Sequence, residues 1–131
     1  MSVAHPERLR ERLPAYPQSI GLLRRAVVGF AGACGATERQ REDIAVAVSE
    51  ALTNVVKHAY LGRADPGDIS VQAFVRRRAL VVEVCDEGVG MRTHDSRGVG
   101  SGLRIMFRLT ERLEFADTMP GSRVRMTFAI G

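Results

Sequence analysis

The segment Ser49–Tyr60 reads SEALTNVVKHAY, and its pattern decides how the rest of the chain is interpreted. On a helix with about 100° per residue, Glu50, Asn54 and His58 fall within about 80° of each other. The apolar positions on the opposite face are Leu52, Val55 and Ala59. A polar stripe of this kind is typical of the solvated side of an amphipathic helix. It also lines up a carboxylate, a carboxamide and an imidazole, so the segment alone is compatible with a binding site as well.

Two helices are predicted in the first half of the chain. Thr37 begins a capping box, so the helix that contains the polar stripe is expected to run from there to about Tyr60. Before it, apolar residues recur at helical spacing from Ser19, the predicted N-cap, to the helix stop at Gly35. A short edge strand is expected at residues 7–13, ahead of a proline-containing break.

The second half of the chain is rich in strand patterns. Alternating apolar residues from Ile69 and the run LVVEVCD predict an antiparallel hairpin with Arg76–Arg78 at its tip. A third helix is expected to start near Ser101, and LEFAD with SRVRMTFAI predicts a second hairpin. This order predicts an α/β (α+β) two-layer sandwich, with about three helices covering one face of a mixed, mostly antiparallel sheet. The length predicts a single domain, residues 1–131.

Two glycine-rich motifs follow the helical stripe in the sequence. In VEVCDEGVGM an apolar strand ends on Asp86 and leads into Gly88 and Gly90. Glycines allow a close backbone approach to a ligand, and a carboxylate at a strand end accepts hydrogen bonds from an exocyclic amine. The motif also has the composition of a plain turn, because Asp and Gly are common turn residues.

The second motif is RGVGSGLRIM, in which Gly98, Gly100 and Gly102 precede the third predicted helix. Backbone N–H groups at a helix start suit phosphate oxygens, although the same glycines are typical of a flexible connector. The chain contains no GxxxxGK[ST] P-loop. In chain order, Asn54 suits a hard cation, Asp86 suits an amine, and the glycine loop suits phosphates. Together these parts predict a site for a magnesium nucleotide.

Composition excludes several other classes of protein. The formal charge of +4 comes from arginines spread along the chain, and aromatic residues make up only 5%, so direct nucleic-acid binding is not expected. No segment has the roughly 20 consecutive apolar residues of a membrane helix, and the charged start of the chain lacks an export signal. We therefore expect a cytoplasmic location. Cys34 and Cys85 lie in apolar contexts and are expected to be free thiols.

The motifs resemble those of the GHKL (Bergerat-fold) ATPases, and within them the small bacterial anti-sigma factor serine kinases. SEALTNVVKHAY is similar to the N-box of that family, DEGVGM to its first glycine box and GVGSGL to its second. The terminal GSRVRMTF is similar to the final Gly-Ser/Thr strand. The resemblance extends from about Pro14 through nearly the whole chain, with the motifs in the family order.

The resemblance implies ATP and Mg²⁺ as cofactors and a role for each motif residue. Glu50 corresponds to the general base, Asn54 to the Mg²⁺ ligand and Asp86 to the adenine contact. The other residues implied to line the nucleotide are Gly88, Gly90, Met91, Gly100, Ser101, Gly102, Leu103 and Ser122. The implied partners are a sigma factor and an anti-anti-sigma protein with a STAS domain, whose serine would be phosphorylated, and the implied assembly is a homodimer.

Two alternatives to a kinase remain open at this point. One is a non-catalytic ATP-binding anti-sigma factor or other regulatory binding module, because the segment 92–97 between the glycine boxes is shorter than the lid of many relatives. The other is a structural domain that binds no nucleotide.

Overall fold

The computed structural model describes residues 7–88 and 101–131 of the chain. The strands and helices, in chain order, are β1 (Arg8–Pro14), α1 (Pro17–Ala33), α2 (Glu38–Asn54), β2 (Asp68–Arg76), β3 (Ala79–Asp86), α3 (Ser101–Leu109), β4 (Arg112–Asp117) and β5 (Ser122–Ala129). A π-helical turn, Val55–Ala59, continues α2. Each element predicted from the sequence pattern is present, including the edge strand before α1.

The five strands form one sheet in the order β1-β2-β3-β5-β4. All four neighbouring pairs are antiparallel. The two-layer α/β sandwich is therefore confirmed, whereas the expected mixed sheet is corrected to an antiparallel one. The reason is that α3 returns the chain to β4 in the same direction as β3, and β5 then inserts between these two strands. The parallel strands consequently never become neighbours.

The hydrophobic core lies between the helices and one face of the sheet. Alternate residues of the central strands contribute Ile69, Val71, Ala73, Leu80, Val82, Val84, Val124, Met126 and Phe128. The helices contribute Leu23, Val27, Ile44, Val48, Leu52 and Met106. Period-2 burial in the strands and period-3.6 burial in the helices produce one continuous apolar layer.

The opposite face of the sheet carries polar side chains. Arg8 and Arg76 both lie over the ring of Phe74, at 4.7 and 5.5 Å from its centroid. In the next strands Arg125 is paired with Glu83 across the β3–β5 ladder. Long arginine side chains thus cover this face in place of a second helical layer.

The helix boundaries differ from the prediction at two points. α1 begins at Pro17 with Tyr16 as its N-cap, because proline at the first helical position needs no hydrogen bond for its nitrogen. Ser19, the predicted N-cap, lies inside the helix and donates its hydroxyl to the carbonyl of Pro14 at 2.6 Å. The capping box at Thr37 is confirmed.

The second difference concerns the end of the helix that carries the polar stripe. The α-helical pattern ends at Asn54, and the remaining residues to Ala59 form the π-helical turn. Single π-helical turns occur frequently at functional sites. In the described residues, 7–88 and 101–131, no helix is both long and apolar enough to cross a lipid bilayer.

Candidate functional site

The polar stripe of α2 is only partly preserved in the structure. Glu50 and Asn54 lie one turn apart on the α-helical part and are half-buried. His58 lies in the π-helical turn and is exposed. A π-helical turn has more residues per turn than an α-helix, so His58 no longer follows the line that a continuous α-helix predicts. The structure therefore gives His58 a more exposed environment than the other two side chains.

Glu50 lies directly against the first turn of α3. A Cβ atom added at Gly102 would stand 2.6 Å from Oε2 of Glu50, which is closer than real Cβ atoms approach an oxygen. Only glycine therefore fits at this position with the carboxylate in place. A carboxylate beside a helix N-terminus is also stabilised by the helix dipole. This contact joins the N-box segment to the second glycine box, a proximity that the sequence pattern does not reveal.

Asp86 ends β3 and is a buried carboxylate, with 6% of its surface exposed. Its Oδ2 accepts a hydrogen bond from the Ser122 hydroxyl at 2.8 Å, and its Oδ1 accepts one from the Gly88 N–H at 2.9 Å. Asp86 and Ser122 are cross-strand partners in the β3–β5 register. Both donors are neutral, and each carboxylate oxygen has a second lone pair. The site can therefore orient Asp86 and still leave it able to accept a hydrogen bond from a ligand.

Gly88 connects this carboxylate to the end of the N-box helix. A Cβ atom at Gly88 would overlap with the carbonyl oxygen of Ala59, the last residue of the π-helical turn. The backbone of the first glycine box therefore packs against the segment that follows Asn54. A side chain at residue 88 would push these two segments apart.

Tyr60 is a site residue that the sequence analysis treated only as a helix end. It is 7% exposed. Its hydroxyl donates to the carbonyl of Asp68 at 2.6 Å and accepts from the N–H of Glu87 at 3.0 Å. Burial raises the pKa of the Tyr60 hydroxyl, with the charges of Asp86 and Glu87 adding to the increase. The sequence contained one sign that Tyr60 would be buried near the site, namely that it extends the apolar face of α2 beyond the last helical residue.

Several predicted site residues lie wholly or partly outside the described part of the chain. Gly90, Met91 and Gly100, together with Gly98 of the second glycine motif, fall in residues 89–100. For Ser101 only the backbone is described, as the first residue of α3. Gly102 and Leu103 are half-buried in the first turn of that helix, and Leu103 packs against the core. Their contribution to a binding site stays a prediction.

Metal binding was predicted for Asn54 alone. Across residues 7–88 and 101–131, no group of three or more His, Cys, Asp or Glu side chains is placed to hold a metal ion. A single carboxamide oxygen fits Mg²⁺, which keeps several waters and is completed by substrate phosphates in nucleotide sites. The residues present thus suit a metal that arrives with a nucleotide and not a metal held by the protein alone.

A surface cavity of about 270 Å³ lies at the other end of the helices. It is lined by the first turns of α2, the end of α3 and the end of β5, including Gln40, Asp43 and Arg108. None of Glu50, Asn54 and Asp86 contributes to it. This cavity is separate from the candidate site.

The model of the histidine kinase-like ATPase domain family matches residues 13–128. The serine-protein kinase RsbW of Listeria monocytogenes serotype 4a (strain HCC23) is 39% identical over 88 residues, covering 67% of this chain and 55% of the relative. The serine-protein kinase RsbW of Bacillus pumilus (strain SAFR-032) is 37% identical over 78 residues, covering 59% of this chain and 48% of the relative. The chain spans about half the length of these curated relatives.

Solved structures show the same fold. The crystal structure of the RsbU and RsbW domains of a Mycobacterium tuberculosis protein matches with a TM-score of 0.75 at 22% identity, covering 94% of this chain and 32% of that chain. The histidine kinase domain of a blue-light activated histidine kinase from Erythrobacter litoralis matches with a TM-score of 0.63 at 23% identity, covering 90% of this chain and 62% of that chain. At these identities the similarity concerns the fold alone.

Proposed function

The chain belongs to the family of histidine kinase-like ATPase domains, and on that premise we propose that it is an anti-sigma factor with serine kinase activity. Membership in this family implies ATP as the nucleotide. The proposed substrate is a serine of an anti-anti-sigma protein with a STAS domain. The observation that carries the proposal is the contact of Glu50 with Gly102, which sets a carboxylate beside a helix start suited to phosphate. The serine-protein kinases that align with the chain support the same activity.

The nucleotide base is proposed to bind at the end of β3. The carboxylate of Asp86 would accept a hydrogen bond from the exocyclic amine of adenine, while Ser122 keeps the carboxylate oriented. The first glycine box, Gly88, Gly90 and Met91, would line the base and sugar. The second glycine box, Gly100, Ser101, Gly102 and Leu103, would hold the phosphates with the N–H groups at the start of α3.

The phosphoryl transfer is proposed to rely on positioning and charge neutralisation. Mg²⁺ held by Asn54 would supply positive charge to the phosphate oxygens. Glu50 would accept the proton of the substrate serine while the serine oxygen forms a bond to the γ-phosphorus of ATP. The bond between the γ-phosphorus and the oxygen that bridges the β- and γ-phosphates would break, and ADP would leave. General-base assistance of this kind is typically worth about 100- to 10,000-fold in rate.

The biological setting is also proposed from the relatives. The single domain, residues 1–131, would bind either a sigma factor or the STAS partner, and from the resemblance of its motifs it would act in the cytoplasm as a homodimer. It would regulate transcription through these protein contacts, without binding nucleic acid directly. A non-catalytic ATP-binding regulator is the alternative, and it differs only in lacking phosphoryl transfer.

The test is transfer of ³²P from [γ-³²P]ATP to a cognate STAS protein. Glu50→Gln is expected to lower the rate at least about 100-fold while ADP still binds, because the change removes a base but leaves the nucleotide contacts. Asn54→Ala is expected to remove the Mg²⁺ dependence of ATP affinity. Glu42→Gln changes an exposed glutamate on the same helix and serves as the matched control.

Transfer by Glu50→Gln at the wild-type rate would exclude Glu50 as the base. ATP binding without labelling of the STAS protein by the wild-type chain would favour the non-catalytic regulator. If neither Mg-ATP nor Mg-ADP raises the melting temperature, the proposal of a nucleotide site is wrong, because ligand at 100 times its Kd adds about 2.7 kcal/mol of stability.

A further inference from the structure

The hydroxyl of Tyr60 occupies an unusual position at the end of the β2–β3 ladder. Ile69 and Asp86 form the last cross-strand pair, so the next positions along the two strands are Asp68 and Glu87. The hydroxyl donates to the carbonyl of Asp68 and accepts from the N–H of Glu87. It therefore bridges two backbone groups that would otherwise face each other as the next rung of the sheet.

Two neighbouring groups pack against the ring of Tyr60. A Cβ atom at Gly67 would overlap with the ring, so the loop before β2 closes on it only because residue 67 is glycine. The guanidinium of Arg63 lies over the ring at 5.1 Å from its centroid. A side chain packed in this way keeps its hydroxyl at one point in the structure. A tyrosine hydroxyl is protonated at neutral pH and is therefore both donor and acceptor. Burial raises the pKa of Tyr60 further in the same direction.

Glu87 lies between the two residues that form the proposed base contact. Its peptide nitrogen follows Asp86 directly, and Gly88 returns a hydrogen bond to the Asp86 carboxylate. Holding the N–H of Glu87 thus sets the direction in which the chain leaves β3. That direction determines where the Asp86 side chain and the Gly88 N–H meet.

We propose that Tyr60 is a positioning residue for recognition of the nucleotide base, acting through the backbone of Glu87 on the carboxylate of Asp86. This inference rests on the proposed function, which assigns the base to Asp86. With Tyr60 in place, the site selects a purine with an exocyclic amine over one with a carbonyl at the same position. Without the hydroxyl, the site still binds the nucleotide but discriminates less between the two bases.

The experiment compares ADP with inosine diphosphate, in which a carbonyl replaces the amine, by isothermal titration calorimetry. Tyr60→Phe removes only the hydroxyl and is expected to lower the ADP preference roughly fivefold, the scale of one intramolecular hydrogen bond. The loss is expected in ADP affinity, with little change for inosine diphosphate. Tyr16→Phe removes the hydroxyl of an exposed tyrosine and is expected to leave both affinities unchanged.

A merely structural role of Tyr60 predicts a different result, namely equal loss of affinity for both nucleotides. That outcome, or an unchanged preference, would overturn the inference while leaving the proposed function intact. A wild-type chain that binds neither nucleotide would overturn both. If Tyr60→Phe does not fold, Gly67→Ala places a Cβ atom where the Tyr60 ring now lies, and the same fall in preference is expected.

Discussion

Two buried carboxylates on β3 have opposite environments. Glu83 is 8% exposed and Asp86 is 6% exposed, and they lie on opposite faces of the same strand. Glu83 accepts from both Nε and Nη2 of Arg125, at 2.7 and 2.6 Å. Asp86 is held by the neutral Ser122 hydroxyl and Gly88 N–H. Among the ion pairs of residues 7–88 and 101–131, none involves Asp86.

The difference indicates which buried charge serves the fold and which is available to a ligand. A buried charge is costly unless it is paired or well hydrogen-bonded. The charge of Glu83 is matched by an arginine of the neighbouring strand, so Glu83 joins β3 to β5. Within residues 7–88 and 101–131, the carboxylate of Asp86 is oriented by neutral donors and has no ion-pair partner, so an amine donor from a ligand can complete its environment. Each of the next three predictions tests this contrast.

The largest effect is expected for Asp86→Asn in nucleotide binding. The change replaces a charged acceptor by an amide whose NH₂ group cannot accept, and ADP affinity is expected to fall about 100-fold. Isothermal titration calorimetry measures the change, and Asp65→Asn, in an exposed loop, is the control. Unchanged affinity in Asp86→Asn would remove Asp86 from the site.

The second effect is expected for Glu83→Gln in stability. Removing one charge leaves Arg125 without its partner, but the arginine side chain is 36% exposed and water screens it. We therefore expect a loss of about 2 kcal/mol in the free energy of unfolding, below the range for a fully buried pair. Urea unfolding measures this loss, while ADP affinity should be unchanged. A large fall in affinity in the folded variant would show that Glu83 also serves the site.

The smallest effect is expected in the titration of Cys85. Burial raises the pKa of this thiol above its ordinary value of 9.0, and the charge of Glu83 raises it further, with a smaller contribution from Asp86. In a Cys34→Ser background, absorbance at 240 nm should show a lower pKa of Cys85 in Glu83→Gln than in the parent. The pKa should stay above 9.0, because burial is the largest cause. Asp86→Asn should lower it less.

The same thiol gives the protein a defined dependence of stability on pH. The unfolded chain loses the Cys85 proton first, since the folded-state pKa is raised. The folded state then binds more protons than the unfolded one, so the free energy of unfolding falls as pH rises above 9.0. Cys85→Ser should reduce this slope. An unchanged slope would contradict a raised pKa of Cys85.

Much of the fold and part of the candidate site could be predicted from local patterns. The capping box at Thr37 and the alternation from Ile69 are properties of short segments, and both led to correct elements. The helix was correctly expected to run to about Tyr60, but the apolar spacing over five residues did not reveal that its last turn, Val55–Ala59, is π-helical. The sheet was expected to be mixed and mostly antiparallel, whereas all four strand pairs are antiparallel. The path of the crossover through α3 sets the strand order, and short segments do not encode that path.

The candidate site was likewise predicted only in part from local patterns. Glu50, Asn54, Asp86 and Ser122 were selected from their motifs, yet only the structure brings Glu50 against Gly102 and Ser122 against Asp86. Tyr60 was missed because a tyrosine at a helix end carries no sign of where its hydroxyl will find partners. His58 belonged to the polar stripe of the predicted helix but was assigned no role in the site, and the structure leaves it exposed.

By itself, the sequence determined the family, the order of helices and strands, and the residue types available to a nucleotide. The order of the elements follows from periodicity and capping, which act over a few neighbouring residues, and the family follows from the resemblance of the motifs. Only the tertiary structure decided that Glu83 is matched by Arg125, that Asp86 is held by the Ser122 hydroxyl and the Gly88 N–H, and that Tyr60 bridges β2 and β3. The physical reason is that counter-charges and hydrogen-bond partners come from segments distant in the chain, and packing of the two layers selects them.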